Sequence, residues 1–332
     1  MKKIILTLLA ITLMAFVLAG CGSGGEQNNT GDDVIKIGVA QFMSHPALEL
    51  DQQGFLDQIK EEGFIDGDNV EIDIQNAQGD PNLAKTIADK FVADKVDVIL
   101  AITTPVAQAA VQATKGTDIP VVFIAVSDAV GAGLIQELDQ PTGTNVTGVY
   151  SADPVEQQMD LIEEIVPGMF RLGLIYNAGE DNSVSNKNRI KDYVSGKDWN
   201  VVEAPVTSTN DVQAAAQSLV GKVDAVFVPQ DNTVISALEA LLKVMEDNNI
   251  PLFTGDTESV RRGAVATIGN DEYDCGKQGA EMVARVLNGE NAGDIVPEEI
   301  RKRTTMVNKN AAEKISLEIP QTVLDRADEI VE

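Results

Sequence analysis

Two stretches of the chain read alike: "KVDVILAITTP" (95–105) and "KVDAVFVPQDN" (222–232). Each opens on Lys-Val-Asp, continues as an apolar run of strand length, and ends in a polar loop. A helical pattern follows each of them. Then comes a second apolar run led by Ile-Pro, "IPVVFIAV" (119–126) in the first half and "IPLFTGD" (250–256) in the second. Proline is tolerated as the first residue of a strand, where its missing N–H breaks no ladder. One such strand–loop–helix–strand unit in each half predicts two similar α/β lobes.

The pattern extends outward in both directions. Strands are expected at 34–40, 70–75, 96–102, 121–125 and 146–149, then at 172–176, 199–204, 225–229, 252–254 and 264–268. Amphipathic helices are expected between them, for example over 46–63, 82–94 and 274–288. This βαβα alternation is that of parallel sheets covered by helices on both faces. Hydrophobic residues make up 44% of the 332 residues but aromatics only 4%. The core must therefore come from aliphatic side chains, as buried parallel strands require.

The net charge of −27 argues against a nucleic-acid partner, whose phosphates need basic side chains. Residues 1–20 have the shape of a secretory signal: Lys2 and Lys3, an apolar stretch, then small residues before Cys21. "LAGC" (18–21) resembles a lipobox, which implies cleavage before Cys21 and a lipid on its sulfur that anchors the protein to a membrane. The polar, Gly-rich 21–33 then reads as a tether. Cys275 is the other cysteine, so no disulfide framework is expected. It has no nearby cysteine or histidine to complete a metal set and is read as a packing residue. No metal and no cofactor are expected: nucleotide fingerprints, zinc motifs and nucleophile elbows are missing from the sequence.

In open parallel sheets, ligands bind beyond the carboxyl ends of the strands. The residues expected there are Ser44 and His45, Thr103 and Thr104, Ser127 and Asp128, then Asn182 and Ser183, Asp231 and Asn232, Asp256 and Asn270. Taken singly, each is explained as a helix cap. As a set they divide, with hydroxyls leading in the first half and acids and amides in the second. That division suits a zwitterion. Hydroxyls and the N–H groups of a helix start, at Thr103 and Thr104, favour a carboxylate, and an acid favours an ammonium, with Asp231 the first candidate. His45 is the single histidine. It reads either as a surface loop residue or as a group facing the ligand.

The motifs "FMSHPAL" (42–48), "ITTPVAQAA" (102–110), "TNVTGV" (144–149), "YNAGEDNS" (176–183), "PQDNTV" (229–234) and "GDTESVRRGA" (255–264) occur in that order. Together they resemble the TrpX-like substrate-binding lipoproteins of ABC importers. The resemblance implies a periplasmic-binding-protein type I fold: two doubly wound parallel-sheet lobes joined by a three-crossover hinge. It implies an N-terminal lobe of 34–150 plus about 260–295, and a C-terminal lobe of 151–259 plus about 296–332. Tyr150 would line the cleft at the first crossing, and His45 would face the ligand. The implied role is capture of a small amino acid, tryptophan or phenylalanine in particular, and its delivery to a membrane permease driven by a cytoplasmic ATPase. The same fold also serves receptors for sugars or nucleosides and sensors for signalling kinases. An enzyme is disfavoured, because no nucleophile–base pair is visible.

Overall fold

The computed structural model describes residues 34–332; the expected signal peptide, the lipid acceptor Cys21 and the tether lie outside the described residues. Residues Ile35–Glu332 form one compact unit. The first lobe runs β1 (Ile35–Gln41), α1 (Pro46–Glu61), β2 (Val70–Asn76), α2 (Pro81–Asp94), β3 (Val98–Ile102), α3 (Thr104–Ala113), β4 (Val121–Val126) and β5 (Val146–Tyr150). The second runs α4 (Val155–Ile165), β6 (Arg171–Asn177), α5 (Asp181–Val194), β7 (Asn200–Val206), α6 (Val212–Leu219), β8 (Ala225–Val228), α7 (Asn232–Ser236), α8 (Leu238–Asp247), β9 (Leu252–Thr254), α9 (Thr257–Arg262) and β10 (Ala266–Asn270). The chain returns to the first lobe for α10 (Glu272–Leu287) and β11 (Glu298–Glu299). It ends in the second with β12 (Arg303–Asn308), α11 (Lys309–Lys314), α12 (Gln321–Leu324) and β13 (Glu329–Val331).

The first sheet has the order β11-β5-β4-β3-β1-β2 and its strands run parallel. The second has the order β7-β6-β8-β9, also parallel, and a smaller β10-β12-β13 sheet flanks it. In both lobes the strand order reverses beside the first strand, between β1 and β3 and again between β6 and β8. A crevice opens at such a switch point because the two following helices leave on opposite faces. Register brings the loops together, since Gln41 at the end of β1 lies opposite both Asn76 and Ile102. The strands themselves are runs of buried aliphatics, with Val98–Ile102 wholly enclosed, as a sheet covered on both faces demands.

The returning segment is offset from the one expected near 260–295. Residues 260–270 stay in the second lobe: β10 pairs antiparallel with β12, and Val265 N–H donates to Leu252 C=O of β9. The return begins at Asp271 and extends through β11, which pairs with β5. The strands β12 and β13 went unread in the sequence, because "RTTMVN" (303–308) is half polar and carries no turn signal before it.

Helix α10 lies against α1 at backbone contact. A Cβ added at Gly276 would stand 1.9 Å from the Asp51 carbonyl oxygen, and one at Gly54 would stand 2.0 Å from that of Tyr273. Backbone cannot move aside as a side-chain tip does. Gly276→Ala is therefore expected to cost about 3 kcal/mol or more, the upper end of overpacking, measured by urea unfolding. A cost below 1 kcal/mol would show that the two helices separate easily.

Candidate ligand-binding cleft

A cavity of about 40 Å³ lies between the carboxyl ends of the two sheets. The first lobe lines it with His45, Ala47, Leu48, Thr103, Ala125 and Ser127, and the returning helix α10 adds Glu272. The second lobe supplies Asn182, Gln230, Asp231, Asn232, Ile235 and Asp256. Most of these residues follow β1, β3, β6 and β8, the strands at the two switch points. A wider depression at the amino ends of β1, β3 and β4 is rimmed by exposed groups such as Asp97, Asp118 and Glu290. It gathers no comparable set of buried polar groups.

On the first lobe, Thr103 holds φ +86°, a conformation that costs a β-branched residue energy. It sits at the N-cap of α3, whose first turn points its free N–H groups at the cavity end. The hydroxyls of Thr103 and Thr104 are buried and have no hydrogen-bond partner. Ala125 also holds a positive φ, of +53°, where the β4–β5 register shifts. Strain at two cavity residues is what a backbone shaped for a ligand shows. His45 is the N-cap of α1 and is buried. Its Nε2 lies 3.3 Å from Asn232 Oδ1. Asn232 donates its Nδ2 to Glu180, which fixes Oδ1 as an acceptor, so His45 Nε2–H donates. Burial first of all lowers the His45 pKa to about 4, and the neutral ring is left with an unpartnered acceptor, Nδ1.

The second lobe presents acids. Glu180 is the hub of one group. Its carboxylate accepts from Asn177 Nδ2, from the N–H and hydroxyl of Thr233, and from Asn232 N–H, Asn232 Nδ2 and Asn182 Nδ2. Asp231 is saturated too, with Oδ1 capping α7 at Val234 N–H and Oδ2 accepting from Asn177 N–H. Burial, then the Glu180 charge, push its pKa up to about 7. Asp256 differs. Its Oδ1 caps α9 at Ser259 N–H, 2.7 Å away, while Oδ2 is buried outside hydrogen-bond geometry, with the Ser259 hydroxyl as the side chain that lowers the carboxyl's pKa against burial. Burial raises Asp256, raises Asp153 to about 7, and with the neighbouring acids raises Glu272 well above the usual range. The charge of Arg262 offsets this in part at Asp256, and those of Arg189 and Arg303 at Asp153.

Of the residues expected from sequence, His45, Thr103, Ser127, Asn182, Asp231, Asn232 and Asp256 line the cavity. Thr104 and Ser183 are buried just outside it. Four lie elsewhere. Ser44 is exposed and accepts from Asn76 Nδ2, because the loop turns its neighbour inward instead. Asp128 accepts from Gly131 N–H within its own turn and from Ser185 Oγ of the other lobe at 2.7 Å, tying the lobes together. Tyr150 and Asn270 belong to the hinge. Asn270 Nδ2 donates to Ser151 C=O (3.1 Å), Ile300 N–H to Tyr150 C=O (2.9 Å) and Asp271 N–H to Lys302 C=O (3.0 Å), so the three crossings are laced side by side. Gln230, Glu272, Glu180 and Asp153 were missed. Gln230 precedes Asp231 in "PQDN" and had a signal; Glu272, inside "NDEYD" (270–274), had none that set it apart from its acidic neighbours.

Among the described residues, Asp51, Glu272 and Cys275 bring donor atoms within 4.8 Å of one another. Burial drives all three toward their protonated forms. The trio is a neutral packing contact between α1 and α10, and Cys275 is a buried free thiol.

The lobes touch through His45–Asn232, Ser127 Oγ–Gln230 Oε1 (3.2 Å), Gln108 Nε2–Asp181 Oδ2 (2.7 Å) and Ser185–Asp128. This is a closed cleft, and comparison with known proteins agrees. A crystal structure from Streptococcus pneumonia described as an ABC domain in complex with L-Trp superimposes with a TM-score of 0.85. It is 34% identical, covering 90% of this chain and 99% of that one. A ligand-free, open substrate-binding protein from Clostridium difficile is 37% identical over the same shares yet scores only 0.68. The structure described as open thus overlays less well although it is slightly more similar in sequence. A curated relative, the "Tyrosine-binding protein" of Clostridioides difficile (strain R20291), is 36% identical over 324 residues, 96% of this chain and 93% of its own. The family model of ABC transporter substrate binding proteins matches residues 36–331. The two switch-point crevices facing each other across a laced hinge are those of that family, and the chain belongs to the ABC transporter substrate-binding proteins.

Proposed function

We propose that this protein is a lipid-anchored receptor that captures an aromatic amino acid as its zwitterion and hands it to an ABC permease outside the cytoplasm. One observation carries the reading: across a single cavity, a buried hydroxyl on a strained helix start (Thr103) and a buried carboxylate oxygen (Asp256 Oδ2) both lack partners. An unmade buried hydrogen bond costs about 1–3 kcal/mol. Two of opposite chemistry are answered at once by a molecule with a carboxylate at one end and an ammonium at the other. Ala47, Leu48 and Ile235 supply apolar wall for a side chain. The relative named for tyrosine and the structure holding L-Trp support an aromatic one.

Closure follows from the same contacts. The ligand favours the closed form only through bonds it makes to both lobes, here Thr103 on one side and Asp256 on the other. We read the protein as a receptor and not as an enzyme, since His45 spends its N–H on Asn232 and touches no nucleophile. No helix among the described residues is long and apolar enough to cross a membrane; the anchor in this reading is the lipid on Cys21.

The test is a thermal-shift screen of residues 22–332 against amino acids, sugars and nucleosides. A ligand at one hundred times its Kd adds about 2.7 kcal/mol. A response to aromatic amino acids alone is expected, and a response to a sugar or nucleoside in its place would overturn the reading. For the anchor, Cys21→Ser is expected to abolish labelling by radioactive palmitate in cells; retained labelling would exclude Cys21 as the acceptor.

A further inference from the structure

We infer that the cavity selects aromatic amino acids whose ring carries a hydrogen-bond donor, and that the Asn182 side-chain oxygen receives it. The inference rests on the zwitterion reading and adds to it the identity of the side chain.

Asn182 opens α5 after β6 and is buried. Its Nδ2 faces Gln230 C=O at 3.0 Å and a Glu180 oxygen at 3.4 Å, both acceptors that cannot donate. The amide therefore has one permitted orientation, and Oδ1 is left without a partner in a cavity it lines. Two further neutral groups of the cavity wall lack partners: the Thr103 hydroxyl, which the zwitterion reading gives to the carboxylate, and His45 Nδ1, which is an acceptor as well. Asn182 Oδ1 and His45 Nδ1 can accept and cannot donate.

The ammonium does not go there. The acids beside Asn182 are already saturated, Glu180 by side-chain and backbone donors and Asp231 by two backbone N–H groups. Of the two other acids lining the cavity, Glu272 accepts from Gln230 Nε2 at 3.4 Å, while Asp256 keeps a buried oxygen without a partner; Asp256 follows β9, and β8 separates β9 from β6. Two strand spacings put these sites about 10 Å apart at the backbone. An ammonium bound at Asn182 would leave Asp256 Oδ2 buried and unanswered. With the ammonium on Asp256, the far end of an aromatic side chain reaches Asn182: the phenol oxygen of tyrosine lies about 7 Å from its own ammonium on standard bond lengths. A site that hydrogen-bonds a ligand hydroxyl rejects the analogue lacking it, because its own polar group is then stranded.

The experiment is isothermal titration of the full chain with four ligands in two pairs, tyrosine against phenylalanine and tryptophan against 1-methyltryptophan. In at least one pair the donor-bearing member is expected to bind about 30-fold tighter or more, the equivalent of about 2 kcal/mol. The pair that discriminates shows whether a phenol or an indole is the natural ring. Asn182→Ala is then expected to weaken the donor-bearing ligand at least tenfold, leave its partner within threefold, and collapse the ratio. Equal affinities within both pairs in the unaltered protein would overturn the inference while leaving the zwitterion reading intact. A ratio that survives Asn182→Ala, or an equal loss for both members, would overturn the role of Asn182. No binding of any of the four would point to failure of the underlying reading instead. The first comparison needs no variant, so a misfolded Asn182→Ala cannot hide the answer.

Discussion

Asp256→Asn is expected to weaken amino-acid binding about 100-fold or more while leaving the fold intact. Removing one member of a buried, hydrogen-bonded charge pair costs about 2–5 kcal/mol. Asparagine keeps an oxygen for Ser259 N–H, so the cap of α9 survives while the charge that meets the ammonium is lost. The matching change at Asp231 separates the two acids. Both of its oxygens are held by backbone N–H groups, so Asp231→Asn is expected to lower stability by about 1 kcal/mol, the usual worth of a cap, and to disturb affinity less. Sequence alone ranked Asp231 first for the ammonium; in the structure its oxygens accept from Val234 and Asn177 N–H, so we propose Asp256 ahead of it. Titration of both variants with tyrosine and tryptophan decides between them. A larger loss at Asp231 would restore the original order.

The second large effect is on pH. Asp153 and Asp231 have pKa values pushed up to about 7 by burial, and Asp256 and Glu272 are raised in the same direction. In the unfolded chain these carboxyls ionise near pH 4. Between about pH 4 and 7 the unfolded state therefore holds fewer protons than the folded one, and stability falls as pH rises through that window. The ligand reverses the sign locally. Its ammonium favours the ionised carboxylate, so binding expels a proton and tightens as pH rises toward 7. A melting series from pH 5 to 8 is expected to show the free protein losing Tm with rising pH while the ligand-induced gain grows. His45, held at about 4 and ionising near 6.5 when unfolded, works the other way between those values but is one group against four, and surface acids held low by ion pairs, such as Asp224 beside Arg171, titrate below the window. A ligand-induced gain that stays flat across the series would show that no buried carboxyl is coupled to the ligand.

Much of this was legible because parallel-sheet physics writes itself into the chain. Strand runs such as "VILAI" (98–102) are apolar on both faces, and helix starts carry their caps in view, as at Asp80, Asp231, Asp256 and Asp271. Reading residues just after the strands located most of the cavity for the same reason. It could not separate an acid that caps a helix from one that does so and keeps an oxygen free, which is why Asp231 and Asp256 looked equivalent. It also missed groups whose role is purely tertiary. Glu272 enters the cavity because α10 crosses back from the other lobe, and Glu180 matters because Asn177, Asn182, Asn232 and Thr233 converge on it. Ser44, expected from its place after β1, lies outside the cavity for a simpler reason. Position after a strand fixes a residue's level but not the direction of its side chain.

In the proposed reading one ligand answers Thr103 and Asp256 together. Its most direct test is calorimetric titration of the protein with tyrosine, with tyramine, which lacks the carboxylate, and with 3-(4-hydroxyphenyl)propionate, which lacks the ammonium. Tyrosine is expected to bind, and each one-ended analogue to lose at least 100-fold. Either analogue binding within a few-fold of tyrosine would contradict this reading, and would name the end of the cleft that has been misread.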